Sequence, residues 1–309
     1  MKNDIRKRFL RLFLILFGIT ILSFSLLAFS PGDPALKKLT SQGIGVTNEV
    51  LKETRVEMGL DKPVAVQYGR WLINLLKGDL GTSYRDGAPV VRKLKQAFLN
   101  TVILSFSSLL LALVLSLPLG VLAAARRNQA ADQLIRLFCF TGNALPSFLL
   151  AVLFIYFFCI QHKVFPVIAN NSFKGLILPV MTLAVPLSGR LIRQVRAAVL
   201  RELELDYVKG IRQRGVLEGY VLFFNVLHNA MISIITAVGL SVGTLMGGSV
   251  VVESIFLWPG MGKLIMDSIS ARDYPVIQGA VIVMSVLYVM LNFITDLMYH
   301  LLDPRLKEL

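Results

Sequence analysis

The chain has 309 residues, 55% of them hydrophobic and 17% charged, and carries a net charge of +13. A chain this apolar at this length is excluded from the ordinary soluble class and belongs in a bilayer. The positive charge does not point to nucleic acid, because the basic residues gather at the ends of apolar runs, where membrane topology is set.

Lys2, Arg6, Lys7, Arg8 and Arg11 precede an uncharged run over 12–30. The run is long for a leader, so the spacing favours an uncleaved first span over a secretory leader, with a cytoplasmic amino terminus. Residues 31–95 are polar and open with the turn-forming Pro31-Gly-Asp-Pro34. Within them, 49–59 reads as a short helix closed by Gly59 and 64–76 as an amphipathic helix carrying Tyr68 and Trp71. This is an ordered extracytoplasmic segment rather than a linker.

Uncharged runs over 96–125 and 137–161 predict the second and third spans, joined by a short inner loop with Arg126, Arg127 and Arg136. A brief run over 175–189, holding Pro179 and Pro186, is the weakest candidate and is kept as the fourth span, since prolines are tolerated where neighbours satisfy the freed carbonyls. Runs over 219–252 and 274–295 supply the fifth and sixth. The expected fold is therefore all-α and polytopic, with six transmembrane helices. Its divisions are 1–30, the cytoplasmic end and first span; 31–95, the outer segment; 96–300, a core of five spans; and a cytoplasmic tail over 301–309. Charge supports this arrangement: the inner segments hold 17 of the 32 Lys and Arg, the two short outer loops only 4.

Between the fourth and fifth spans the chain is basic and amphipathic. Leu200, Leu203, Tyr207 and Ile211 fall on one side of a helix and Arg196, Arg201, Glu204 and Arg212 elsewhere, so a short helix over about 200–218 should lie on the cytoplasmic face and touch something there. No phosphate cradle is present, since Gly260-Met-Gly-Lys263 lacks the spacing of one, and the chain is read as a transport subunit rather than an enzyme. His162, His228 and His300 lie in separate segments without ligand spacing, and Cys139 and Cys159 read as small buried hydrophobes, so no metal site or cofactor is expected. Pro118, Pro146, Pro179 and Pro186 mark bends that a gated pathway could use. Candidates for helix packing or the translocation path are Asn143, Asn292, Asp296 and the four-residue repeat Gly239, Gly243, Gly247. Each also has a plain structural reading as a helix-packing or helix-end residue.

One ordered series covers nearly the whole chain: Pro31-Gly-Asp-Pro34, Gly59-Leu-Asp-Lys-Pro63, Gly78-Asp-Leu-Gly-Thr-Ser83, Asp206-Tyr207 with Gly215, Asn229-Ala230, Gly247-Gly248, Glu253 with Trp258-Pro-Gly-Met-Gly262, Arg272-Asp-Tyr-Pro275 and Asp303-Pro-Arg305. In this the chain resembles the membrane permease subunits of binding-protein-dependent ABC importers, in the dipeptide, oligopeptide and nickel branch. The resemblance implies a type I importer fold in a bacterial or archaeal plasma membrane. It also implies a second homologous permease, two cytoplasmic ATPases, an extracellular solute-binding protein and alternating access. It places the coupling helix on Asp206, Tyr207, Lys209, Gly210, Ile211, Arg212, Arg214 and Gly215, with Lys209-Gly210-Ile211 where Glu-Ala-Ala is usual. The short outer loop over 162–174 and the stretch Thr47 to Arg55 look more like the nickel subset, so nickel or a metal chelate is favoured over peptides. A self-sufficient channel or ion-coupled carrier is the alternative from another class.

Overall fold

The computed structural model describes residues 12, 14–25, 29, 32–43, 45–169 and 172–302, with side chains as far as Thr295. The amino-terminal basic cluster, Pro31, Asp303-Pro-Arg305 and the side chain of Asp296 lie outside that description. Among the described residues all regular structure is helical: α1 (Leu14–Ser25), α2 (Pro34–Ser41), α3 (Asn48–Glu57), α4 (Val64–Leu76), α5 (Val90–Ala125), α6 (Ala130–Ala144), α7 (Ser147–Phe154), α8 (Phe173–Leu203), α9 (Asp206–Gln213), α10 (Glu218–Tyr220), α11 (Leu227–Ile255), α12 (Met261–Ala271) and α13 (Tyr274–Leu302). A π-helical stretch, Ile155–Gln161, extends α7, and another, Val221–Val226, joins α10 to α11. The described residues fall into two compact units, one within Met1–Leu99 and Gly260–Met290, the other within Asn100–Pro259 and Leu291–Leu309.

In the first unit local chemistry sets the helix ends. Asp33 caps α2 by accepting from the Ala35 amide at 3.0 Å, with Pro34 at the first helical position, and Thr47 caps α3 by accepting from Val50. Gly59, at φ +70°, closes α3 as expected. The Asp33 carboxylate also takes Arg55 through Nε at 2.8 Å and Nη2 at 2.7 Å, fastening α2 to α3. Tyr68 and Trp71 of α4 pack on Phe24 of α1, and Tyr68 Oη meets Thr20 Oγ1 at 2.9 Å. Near the end of α12, Asp273 accepts from Ser83 Oγ and from the Tyr84 amide at 2.9 Å, beside Arg272, which holds a left-handed φ of 54°. Burial, then the neighbouring Asp273 carboxylate, pushes the Tyr84 phenol well above its ordinary range, so it stays neutral. Val90, Leu94, Met261, Val276 and Ala280 form the apolar core of this unit.

In the second unit α8 packs against α6, α7 and α11. The run over 175–189, the weakest candidate from the sequence, lies inside a 31-residue helix whose apolar window is the most buried of the four long spans. Its small residues explain this. A Cβ on Gly189 would sit 2.6 Å from Asn143 Nδ2, and one on Gly120 of α5 would sit 2.6 Å from Val195 Cβ, so neighbouring helices approach almost backbone to backbone. A helix enclosed by protein needs neither a long lipid-facing run nor freedom from proline.

Among the described residues four helices, Val90–Ala125, Phe173–Leu203, Glu218–Ile255 and Tyr274–Thr295, are long and apolar enough to cross a membrane. The expected third span over 137–161 is not one continuous helix. It comprises α6 and α7 with its π-helical extension, bent by 99° at Leu145–Pro146, and counting the pair as one span makes five. Proline disfavours the helical region for the residue before it, and Leu145 is extended at φ −83°, ψ 124°. The first expected span is represented by Leu14–Ser25, short of a crossing within the described residues. The second begins at Val90 rather than at 96, because Arg92, Lys93 and Lys95 continue the helix outward.

Candidate coupling helix and membrane cavity

The expected amphipathic helix over about 200–218 is shorter than its pattern. Leu200 and Leu203 end α8, the chain breaks at Glu204-Leu205, and α9 runs only from Asp206 to Gln213, closed by Gly215 at φ +75°. Its apolar anchor is Val208, fully buried among Val121, Val195, Val199, Val221 and Ala230, with Ile211 packed against the same cluster. Val208 was missed in the sequence, although it lies three residues before Ile211 and shares its face. Helices α5, α8 and α11 thus hold one side of α9, while Asp206, Lys209, Gln213 and Arg214 are exposed on the other.

Polar contacts fix the ends of α9. Tyr207 Oη donates to Glu202 Oε2 at 3.0 Å and accepts from Asn229 Nδ2 at 3.1 Å, so one phenol ties α9 to the ends of α8 and α11. Burial, then the Glu202 carboxylate, raises its pKa. Arg212 grips Glu218 with both Nε and Nη2, a fork that raises the guanidinium pKa further. Lys209 donates to Asp206 at 2.7 Å and lowers that carboxyl's pKa. Gly210 has open space about it, since a Cβ there would meet nothing within 4 Å.

The start of α6 is bound to α8. Arg196 of α8 donates to Asp132 through Nε at 2.8 Å and Nη2 at 2.7 Å; Asp132 is fully buried and also accepts from the Asn128 amide at 2.9 Å. Arg127 reaches Glu204 at 2.8 Å. In the sequence Arg196 reads as part of the amphipathic stretch and Arg127 as a topology signal, and neither points to Asp132, the one acid among the basic residues over 126–136.

The path candidates separate. Asn143 donates to Cys139 O at 2.8 Å and lines a cavity of about 290 Å³ at the break between α6 and α7, together with Thr182, Pro186, Arg190, Thr244 and Gly248. Gly239 packs against Thr295, whose Cγ2 would lie 2.7 Å from an added Cβ, so its smooth face serves α13 of the same chain. Gly247 faces open space, Gly243 is half-buried and Asn292 is exposed away from the cavity lining. Glu253 is fully buried and accepts from Thr101 at 2.8 Å; nearby, Asn100 and the Trp258–Pro259 turn exchange hydrogen bonds at 2.9 and 3.0 Å.

Comparison with known proteins bears on this arrangement directly. Residues 116–308 match the family described as binding-protein-dependent transport system inner membrane component, and residues 1–105 match the amino-terminal part of such components. The chain belongs to that family. The probable D,D-dipeptide transport system permease protein DdpB of Escherichia coli is 35% identical over 98% of this chain and 96% of its own length. The glutathione transport system permease protein GsiC of Salmonella paratyphi A is 35% identical over 99% of each. In fold, the chain is similar to the MetNI methionine ABC transporter in inward-facing conformations, with a TM-score of 0.57 at 18% identity over 68% of this chain and 96% of that one. An amino acid ABC transporter with histidines gives 0.56 at 14% identity, over 68% and 94%. The all-α type I importer fold and the reading as an inner-membrane permease subunit of an ABC importer, not itself an enzyme, are borne out.

Proposed function

We propose that this permease carries short peptides or peptide-like solutes, delivered by an external binding protein, through a path formed with a second permease, and that α9 is its coupling helix. The observation supporting the solute class is the near full-length similarity to permeases named for a D,D-dipeptide and for glutathione. The short loop over 162–174, which favoured nickel or a metal chelate, is a weaker guide than a match over the whole chain. Nickel uptake therefore stands as the second reading.

For α9 the support is mechanical. A helix of eight residues, anchored by Val208 and pinned at both ends through Tyr207 and Arg212, is short and stiff enough to pass a push from a cytoplasmic ATPase to α8 and α11. Two ATPases closing on ATP would move the two coupling helices and switch the open side of the path. The same reading puts both chain ends and α9 in the cytoplasm, in line with the positive-inside charge count, and gives the 31–95 segment to binding-protein docking. The test is reconstitution with a second permease, the ATPases and the binding protein: ATP-dependent uptake of a labelled dipeptide supports the reading, and uptake of nickel alone replaces it.

A further inference from the structure

The cavity at the broken third span has a chemical character that coupling alone leaves unused. Thr182, Pro186 and Arg190 recur every four residues along α8 and so share one face; Asn143 closes one side, and Thr244 and Gly248 of α11 the other. Gly248 leaves that wall open, since a Cβ there would meet nothing within 4 Å. Arg190 follows directly on the uncharged run over 175–189, ~22 Å of helix at about 1.5 Å per residue, and so stands exposed at the end of the fourth span, on the cavity wall. A guanidinium there must face water or a partner. Among the described residues no carboxylate pairs with it, whereas Arg196 on the same helix is matched by Asp132. The cavity volume of about 290 Å³ is on the scale of a small ligand.

The geometry points to Arg190 as the group that receives the carboxylate of the solute as it passes through the membrane. This rests on the peptide reading above. A guanidinium presents parallel N–H donors that match a carboxylate fork, and the rest of the named lining is uncharged. Such a contact would favour solutes with a free terminal carboxylate whatever their side chains. Bound lipid phosphate has the same chemistry and is separated by the assay below.

The experiment uses the complete transporter in proteoliposomes and compares uptake of one dipeptide as free acid and as carboxyl-terminal amide, for wild type, Arg190→Gln and Arg190→Lys. Assembly and binding-protein-stimulated ATP hydrolysis are checked in each. The expected result is a roughly tenfold slower uptake of the acid by Arg190→Gln, little change for the amide, and partial recovery of acid uptake by Arg190→Lys. If Arg190→Gln does not assemble, the acid-to-amide ratio of Arg190→Lys, expected to fall below that of wild type, decides; if wild type does not take up the amide, recovery of acid uptake by Arg190→Lys over Arg190→Gln decides. Equal slowing of acid and amide, undiminished acid uptake in Arg190→Gln, or a loss that follows the anionic lipid content of the vesicles overturns the inference. A wild-type transporter that moves neither peptide overturns the peptide reading itself.

Discussion

Asp132 and Arg196 show how a buried charge is made tolerable. Two charge-assisted bonds and the Asn128 amide satisfy a carboxylate that has no exposure at all. Replacing Asp132 with Asn removes the charge and leaves Arg196 partly buried without a counter-ion, so Asp132→Asn should cost about 3 kcal/mol or more. The double variant Asp132→Asn with Arg196→Gln should cost less than the sum of the singles, a coupling measurable by thermal unfolding in detergent. Asp86 behaves differently because it is half-exposed. Burial would push its pKa up, but hydrogen bonds from Lys93 and the Ala88 amide outweigh that and bring it down to about 2. A depressed carboxyl contributes its stabilisation in full above its unfolded pKa and loses it as pH falls through the folded one. The wild-type advantage over Asp86→Asn should therefore be constant above about pH 4 and fade towards pH 2, and it should stay below about 1 kcal/mol because solvent screens the pair.

Charge reversal on α9 tests whether this element acts as one rigid piece. Arg212→Glu should lower ATP-driven uptake severalfold by setting two acids together, and adding Glu218→Arg should restore most of it, because the swapped pair rebuilds the fork. Gly210→Ala should be accepted, since the site is open and alanine favours the helix by about 1 kcal/mol; Gly215→Ala should destabilise the turn, because φ +75° suits only glycine well. Helix positions were legible in the sequence because run length and flanking charge are local signals, and the location of α9 came from the same source. The break at Leu145–Pro146 was not legible. Hydropathy continues through it, and Pro118, Pro179 and Pro186 sit inside unbroken helices, so proline alone does not tell which span will bend. The ion pair between Asp132 and Arg196 joins positions 64 residues apart and has no local signature. The cavity likewise depends on how α6, α7, α8 and α11 come together, which spacing along one helix cannot reveal.

At the scale of the molecule, function belongs to an assembly. Family membership implies ATPase and solute-binding partners on other chains, and on the function proposed above this chain supplies a path and a lever. Vesicles holding this subunit alone should accumulate no dipeptide in the presence of ATP, while the complete set should. Uptake by the lone subunit would reinstate a self-sufficient carrier. The two native cysteines give the chain a practical property for following that assembly. Both are buried, Cys139 at 1% and Cys159 at 7% exposure, and neither is in a disulfide. An introduced thiol at exposed Gln213 would thus be the readily modified sulfhydryl of an otherwise native protein. Spin or fluorescent reporters placed there could register nucleotide-dependent distance changes between two such levers without first rebuilding the helical packing around the native thiols.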